Sequence, residues 1–393
     1  MNFKNIGAII MGKPPVNKRP EVNKMNFIQK TSRSMLSNLE KMIVKTSKMI
    51  HRVDNIDKKS VKSEIKYLES KTAEKSIKNK MKEKNIKQLI TDNIVIVVLV
   101  LLVIGFSIGN TTFLKTANVI NLFGQMCLNA ILATGLTYVI ILGGIDISVG
   151  SSMAITGILA AQVVLALNIQ STPLIMAVQI LVGLAGGALI GLFIGWLVAY
   201  RGLVPMICTL ALMQAFRGLA YIISGGGPVY GLPTGFSVLG AGRLIETESF
   251  KTGIIPVIVL FTIIVVLIFH IILTKTVFGR HVFAVGSNAS VAHMCGINTK
   301  MVTLKCHMIC GITAGLAGIV AASKVNNGHP ATGDGYEMFA IAATVLGGTS
   351  LAGGSGSVAR AMFGCAIIAV INNGMTLMEI SAYWQKVVIG AII

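Results

Sequence analysis

Apolar stretches of about 20 residues follow one another along this chain from Leu89 onward. A helix rises about 1.5 Å per residue, so about 20 apolar residues span the roughly 30 Å of hydrocarbon in a bilayer. The chain is 53% hydrophobic and 12% charged, which excludes a soluble domain of this length. The sequence predicts an all-α, polytopic transmembrane bundle of about ten helices, at residues 94–108, 120–142, 147–167, 174–200, 204–224, 254–273, 301–322, 336–351, 358–378 and 383 to the end.

The formal net charge of +19 is distributed unevenly. Residues 1–88 contain 22 lysines and arginines against eight acidic residues. We therefore expect a basic, polar N-terminal arm at residues 1–88 and a membrane domain at residues 89–393. Two interpretations of the arm stay open: a solvated, partly disordered cytoplasmic segment, or basic helices lying on anionic lipid, where each cation adds about 1 kcal/mol.

The distribution of cations predicts the orientation, because lysine and arginine accumulate in short cytoplasmic loops. The basic arm places the N-terminus in the cytoplasm. Alternating crossings then place Arg201 and residues 275–300 inside, with Arg360 near the inner face, while Glu246 and Glu248 fall outside. Four cations fall on the outer side against this trend: Lys115, Arg243, Lys251 and Lys324.

No pattern in the sequence points to bound chemistry. The six cysteines show no CxxC or cysteine–histidine ligand spacing, and most lie inside apolar runs, where cysteine behaves as a small buried hydrophobe. The glycine-rich segment near the C-terminus lacks the lysine of a phosphate-binding loop, since no lysine occurs between Val325 and Lys386. We expect no metal, no cofactor, no catalytic residue and no nucleic-acid partner.

The segment LGGIDISVGSS, residues 142–152, interrupts the apolar pattern. Gly143 and Gly144 end one predicted helix, and Asp146 and Ser148 precede the next. Backbone freed at membrane depth must be buried in protein or line a watery cavity, and a carboxylate there is rare. Asp146 or Ser148 either caps the following helix or lines a translocation path; the residues alone leave both open.

A similar sequence, IAATVLGGTSLAGGSGS, recurs in the C-terminal part of the chain, and many transporters contain such repeats. We predict structural breaks there at Glu337, Gly347, Gly348, Gly353 and Gly354. Farther on, Asn372 and Asn373 lie inside an apolar stretch. They either hydrogen-bond across helices or contribute to the translocation path.

Three motifs occur in order, and together they resemble the ribose-type family of ABC sugar permeases. The family's GGIDLSVGS corresponds to GGIDISVGS at 143–151. Its loop pattern GR…A.GGN..AA…GI corresponds to residues 279–297, and GYELDAIAA..LGGTSLAGG.G to GYEMFAIAATVLGGTSLAGGSG at 335–356. The resemblance extends from about Leu89 to the C-terminus.

The resemblance implies that the polar loop 276–298, with a short helix at 289–295, docks as a coupling helix on a cytoplasmic ATPase subunit. This sequence departs from the family pattern at three positions. The family usually has an acidic residue near the position of Ala289, an arginine at the position of His293 and an aspartate at the position of Phe339. The implied coupling residues are Gly279, Arg280, Gly286, Asn288, Ala292, Gly296 and Ile297.

By resemblance, the chain is the permease subunit of a bacterial inner-membrane importer for a monosaccharide, with ribose as our single choice. It would work as a homodimer, with lipid around it, a separate ATPase inside and an extracytoplasmic sugar-binding protein outside. The Gly/Pro-rich outer loop, residues 225–253, would suit that protein. The alternative is a secondary transporter driven by an ion gradient, in which Asp146 carries the proton or binds the cation.

Overall fold

The structure is a computed structural model that describes residues 37–42, 94–244 and 255–392. The chain divides into two units, Met1–Gln88 and Leu89–Ile393. In the first unit, residues 37–42 are helical. The remainder of the predicted basic arm lies outside the described residues, and its role stays a prediction.

The second unit is a bundle of helices connected mostly by short turns. Its elements, in chain order, are α1 (Ile94–Gly109), α2 (Thr116–Ile141), α3 (Val149–Ala166), α4 (Thr172–Arg201), α5 (Pro205–Ser224), a 3₁₀ turn (Thr234–Ser237), α6 (Val238–Ala241), β1 (Arg243–Leu244), β2 (Ile255–Pro256), α7 (Val257–Lys275), α8 (Val277–Ser287), α9 (Ala289–Met294), α10 (Thr299–Val325), α11 (Tyr336–Leu346), α12 (Val358–Leu377) and α13 (Ala382–Ile392).

Every predicted apolar segment coincides with one of these helices, so the prediction of an all-α polytopic bundle is confirmed. Among the described residues, seven helices are long and apolar enough to cross a membrane: α2, α3, α4, α5, α7, α10 and α12. The other three segments are shorter helices, α1 with 16 residues and α11 and α13 with 11 each. The count of ten full crossings is therefore approximate.

Two predicted boundaries were wrong. The segment predicted at 336–351 ends at Leu346, because Gly348 adopts a left-handed conformation, with φ +87°, that terminates the helix. The first part of the predicted polar loop 276–298 is the helix α8. The Thr276 side chain caps it by accepting a hydrogen bond from the Gly279 N–H at 3.2 Å.

Helices α4 and α10 pack closely and run antiparallel at the centre of the bundle. Glycines recur every fourth residue along one face of α4, and each meets the backbone of α10 or a side chain on it. Gly187, for example, faces Gly311 so closely that an added Cβ would overlap the Gly311 carbonyl oxygen. Small residues permit this approach, which maximises van der Waals contact where lipid offers no hydrophobic drive. The α4 glycines are Gly183, Gly187, Gly191 and Gly195.

The segments predicted on the inner side lie together at one end of the bundle. We call it the α8 end: the C-termini of α2 and α4, helices α8 and α9, the N-terminus of α10, and residues 347–357. There the Gly354 N–H donates to the Ile141 carbonyl at 2.8 Å, and the Lys300 ammonium lies 5.8 Å from the Tyr200 ring centroid. Arg201 follows directly on Tyr200 at the end of α4.

The opposite end, which we call the α6 end, contains residues 225–241 and the C-terminus of α10. Val229 and Gly328 form an antiparallel bridge, and the Ser323 hydroxyl donates to the Phe236 carbonyl at 2.6 Å. The strands β1 and β2 form a two-stranded antiparallel ribbon beside α6. Glu246 and Glu248 lie outside the described residues, so their predicted side stays a prediction.

Candidate functional site

The first helix break lies between α2 and α3. Helix α2 ends at Ile141, and Gly143 turns the chain with φ +80°. The Gly143 N–H donates to the Ile140 carbonyl at 2.8 Å, and the Gly144 N–H donates to the Val139 carbonyl at 3.0 Å. The chain then runs through four residues without helical structure before α3 begins.

Asp146 lies inside this break with only 1% of its surface exposed. Its carboxylate accepts two hydrogen bonds from Ser148, at 2.9 Å from the N–H and 2.6 Å from the hydroxyl. The Ile147 N–H donates to the Thr209 hydroxyl of α5 at 3.1 Å, which fixes the segment against α5. Asp146 therefore forms a local turn with Ser148 just before α3. The predicted side-chain cap is not seen at Ser148, whose hydroxyl donates to Asp146 and makes no cap hydrogen bond to α3. Lining of a translocation path by Asp146 or Ser148 stays a prediction.

The second break, between α11 and α12, begins with the same turn. Gly143 and Gly348 both have left-handed backbones, with φ +80° and +87°. In each case this glycine donates to the carbonyl three residues earlier, and the following residue donates to the carbonyl five residues earlier. Gly143 therefore corresponds to Gly348 in backbone conformation and hydrogen bonding. Gly353 and Gly354 then bring the second break against Ser287 and Ile141.

The first turn of α3 meets the segment that leads into α11. A Cβ added at Gly150 would overlap the Gly333 carbonyl and the Glu337 carboxylate. Glu337 is 8% exposed; its Oε1 accepts from the Gly335 N–H at 3.2 Å, and its Oε2 has no hydrogen-bond partner among the described residues. The N-terminus of α3, at Val149, is thus packed against the N-terminus of α11, at Tyr336. Local sequence patterns gave no sign of this contact.

Helices α8 and α9 form the segment predicted to couple with an ATPase. The predicted helix at 289–295 is confirmed as Ala289–Met294, and Asn288 caps it by accepting from the Val291 N–H at 3.0 Å. Gly296 follows with φ +83°, and its N–H donates to the His293 carbonyl at 2.9 Å. The Ile297 N–H donates to the Ala292 carbonyl at 3.0 Å. The segment is therefore a capped helix closed by a left-handed glycine.

The surface of this segment is partly apolar. Val291 is 48% exposed and Met294 is 77% exposed, whereas Ala292 is buried at 4% and anchors α9 to the bundle. Arg280 is exposed on α8. Val291 and Met294 thus form an exposed apolar face on α9. Docking of this face on an ATPase stays a prediction.

Two glycines of α8 are sites of close backbone approach. A Cβ at Gly279 would overlap the Leu273 carbonyl, and one at Gly286 would overlap the Ile141 carbonyl. Ile141 also accepts the hydrogen bond from the Gly354 N–H. The predicted coupling segment is therefore in direct contact with the last turn of α2, and through it with both helix breaks.

Asn373 lies away from the other candidate residues. Its amide exchanges two hydrogen bonds with the Asn118 amide of α2, at 2.8 and 2.9 Å, and both side chains are buried. The Asn118 amide also donates to the Phe113 carbonyl at 2.8 Å. Asn372 is half-buried. The structure thus shows Asn373 cross-linking two helices, while a contribution of either asparagine to a translocation path stays a prediction.

We expect Asn373→Ala to lower the free energy of unfolding by about 1 kcal/mol, because it removes both bonds to Asn118 and leaves that buried amide partly unsatisfied. Thermal unfolding of the purified protein in detergent measures the change. Asn372→Ala is the matched control, since the Asn372 side chain has no hydrogen bond among the described residues. Equal destabilisation by the two variants would show that the amide pair contributes nothing.

A cavity of about 370 Å³ opens near the α6 end. It lies between α2, α3 and α10 and the segment before α11, and sequence analysis did not predict it. Its polar wall contains Lys324, Thr332, Asp334 and Tyr336, and Leu128 and Met153 contribute apolar surface. Gly333 lines the cavity and also touches Gly150.

Arg217 of α5 fixes the edge of this cavity. Its guanidinium donates to the Pro330 carbonyl at 2.6 Å and to the Thr332 carbonyl at 2.7 Å. Sequence analysis did not single it out. An arginine inside an apolar helix is a signal that could have found it, because ionisable residues at membrane depth are costly and usually have a specific partner.

Comparison with known proteins adds an independent observation. A family model described as "Branched-chain amino acid transport system / permease component" matches residues 118–393. This chain belongs to that permease family. The matched residues include both helix breaks, α8, α9 and the cavity, so the whole candidate site lies within the family's common region. The permease is thus a multi-pass transport component of a non-catalytic family.

Several relatives resemble the permease over most of its membrane domain. A ribose import permease protein of Bacillus subtilis (strain 168) is 37% identical over 297 residues, which are 75% of this chain and 88% of the relative. The D-allose transport system permease protein of Escherichia coli (strain K12) is 35% identical over 73% of this chain and 84% of the relative. The xylose transport system permease protein of the same strain is 33% identical over 72% and 84%. No solved structure matches the permease.

Proposed function

We propose that the permease imports a monosaccharide, driven by ATP hydrolysis on a separate cytoplasmic subunit. The observation that supports this most strongly is the set of relatives, whose names specify ribose, D-allose and xylose at 33–37% identity. These are small neutral sugars, whereas the family description names branched-chain amino acids. We retain D-ribose as the first sugar to test.

In this proposal, the α8 end faces the cytoplasm and α9 docks on the ATPase subunit. The charge rule supports the orientation, since Arg201, Lys275, Arg280 and Lys300 belong to this end. The exposed Val291 and Met294 would supply apolar contact area for docking. A cytoplasmic N-terminus, as the distribution of cations predicts, is part of this proposal.

The packing of α8 supplies a mechanical connection from the ATPase to the helix breaks. Gly286 lies directly against the Ile141 carbonyl, which is bonded to the Gly354 N–H of the second break. A displacement of α8 and α9 would therefore move both breaks together. We propose that this movement separates Gly150 from Gly333 and opens the bundle toward the cytoplasm.

The α6 end would face outward and receive the sugar from an extracytoplasmic binding protein. Residues 225–241 and the β1–β2 ribbon form the surface at that end. A second copy of the permease would complete the transporter in this proposal, by analogy with soluble oligomers, most of which are symmetric homo-oligomers. Each copy would present the same outer surface to the binding protein.

The experiment is uptake of labelled D-ribose, D-allose and D-xylose into proteoliposomes that contain the permease, its ATPase and its binding protein. We expect uptake of at least one sugar that requires internal ATP and both partners. Uptake by the permease alone, abolished by an uncoupler, would replace this proposal with the ion-driven transporter.

Asp146 provides a second test of the driving force. We expect Asp146→Asn to retain a substantial fraction of uptake, because the amide oxygen can still accept hydrogen bonds from the Ser148 N–H and hydroxyl. Asp146→Leu, which cannot accept them, should lower uptake and thermal stability together. Complete loss of uptake in a stably folded Asp146→Asn protein would favour proton or cation transfer at this carboxylate.

A further inference from the structure

The cavity near the α6 end has the dimensions of a small-ligand site. Its volume of about 370 Å³ lies at the lower end of the 300–1,000 Å³ range of typical ligand clefts. Leu128 and Met153 line it together with the polar segment 331–334. A mainly apolar wall with a few convergent polar groups is the usual composition of such a site.

The polar groups of the wall suit a neutral, polyhydroxylated ligand. Lys324 donates hydrogen bonds and carries a positive charge, Asp334 accepts them and carries a negative charge, and Thr332 does either. Neither charged side chain has a hydrogen-bond or ion-pair partner among the described residues. The Tyr336 ring offers an apolar surface for the C–H groups of a sugar ring.

The same groups disfavour ionic ligands. A hard metal cation requires several converging oxygen ligands and no ammonium group beside them. The Lys324 and Asp334 charges have opposite sign, so together they give the wall no net charge that would select an anion. Because the two charges balance, a neutral ligand that forms hydrogen bonds to both is favoured.

The cavity ends where the N-terminus of α3 contacts the segment that leads into α11. Gly333 forms part of the cavity wall, and on its other side it packs on Gly150 above the buried Glu337. Arg217 fixes the adjoining Pro330–Thr332 backbone. A ligand in the cavity would therefore lie beside the closed contact between Gly150 and Gly333.

We propose that this cavity is a sugar-holding site within the permease, in which Lys324 and Asp334 bind hydroxyl groups and Tyr336 packs against the sugar ring. The inference rests on the proposed function, since it assumes that the cargo is a monosaccharide. It adds that the permease itself binds the sugar after the binding protein has released it.

Protection of an introduced thiol tests occupancy directly. Thr332→Cys is labelled with a membrane-impermeant maleimide in proteoliposomes of the permease–ATPase complex, with and without D-ribose, D-allose or D-xylose. Lys115→Cys, exposed at the start of α2, is the matched control. We expect one or more sugars to slow labelling at position 332 about threefold or more, as about 70% occupancy would, and to leave position 115 unaffected. Equal labelling with and without every sugar would overturn the inference.

Two further variants test the assigned contacts. Asp334→Asn and Lys324→Gln, each in the Thr332→Cys background, should raise the sugar concentration for half-protection by about tenfold, as expected when a charged hydrogen bond is weakened. Lys115→Gln should not change it. Unchanged half-protection in both charge variants would remove these two residues from the site.

Uptake by the unlabelled wild-type complex distinguishes failure of the proposed function from failure of the sugar-holding site alone. If it transports none of the three sugars, the proposed function fails. If it transports a sugar that gives no protection of the thiol, the proposed function survives and only the holding site is wrong.

Discussion

Gly187→Leu is expected to leave almost no folded permease in the membrane. Even a single added carbon at this position would overlap the Gly311 carbonyl and approach the Ile312 backbone to 3.0 Å. Both belong to the interior of α10, which cannot yield locally without disrupting its own hydrogen bonds. Overpacking commonly costs about 1–3 kcal/mol where side chains can rearrange, and a collision between two helix backbones should exceed that.

The yield of monodisperse protein and its thermal midpoint in detergent measure this effect. Ala185→Leu is the matched control, because it adds three carbons to an exposed position on the same helix. We expect the control to behave like the wild type and Gly187→Ala to be intermediate. A Gly187→Leu protein with the wild-type midpoint would mean that α4 and α10 are not in backbone contact.

Gly296→Val is expected to weaken association with the ATPase about tenfold or more while the membrane bundle still folds. Gly296 has φ +83°, a conformation that costs a residue with a Cβ roughly 1–2 kcal/mol and is a strong outlier for a β-branched one. A Cβ at this position would have no atom within 4 Å, so the effect comes from the backbone and not from a collision. The helix α9 would lose its closing turn and the orientation of Val291 and Met294.

Co-purification of the ATPase and uptake of labelled sugar measure the result. Gly296→Asn is the discriminating control, because asparagine tolerates the left-handed conformation and fits the open space. We expect Asn to preserve most association and Val to reduce it about tenfold or more, as about 1.4 kcal/mol would. Normal ATPase yield and uptake with Val at this position would exclude α9 from coupling.

The sequence predicted the helices well because their signal is local. Length and hydropathy located the ten predicted apolar segments, and the short helix predicted at 289–295 corresponds to α9. The sequence analysis did not predict α8, because polar residues such as His281 and Ser287 made the segment resemble a loop. In the structure, Val282 and Val285 are buried on one face of this helix. A cap at Thr276 and apolar residues spaced three and four apart were the available signals.

The candidate site was less predictable because its contacts join distant segments. Gly150 and Gly333 are far apart along the chain, and no local sequence feature of either residue predicts their contact. The cavity likewise forms only when α10 and the segment before α11 are placed beside α2 and α3. The repeat was visible in sequence, but only the backbone geometry shows which of its two adjacent glycines, Gly347 and Gly348, corresponds to Gly143.

The double role of Gly333 has a thermodynamic consequence. Gly333 lines the cavity and also packs against Gly150. A movement that separates Gly333 from Gly150 would therefore also change the shape of the cavity. In the proposed transport cycle, sugar binding and opening are then coupled: the sugar shifts the closed-to-open equilibrium by the same free energy by which opening changes the affinity for the sugar. A sugar that binds the closed form more tightly would resist its own release, whereas one bound weakly would pass quickly. Such a permease would favour loosely held cargo and leave tight recognition to the protein that delivers it.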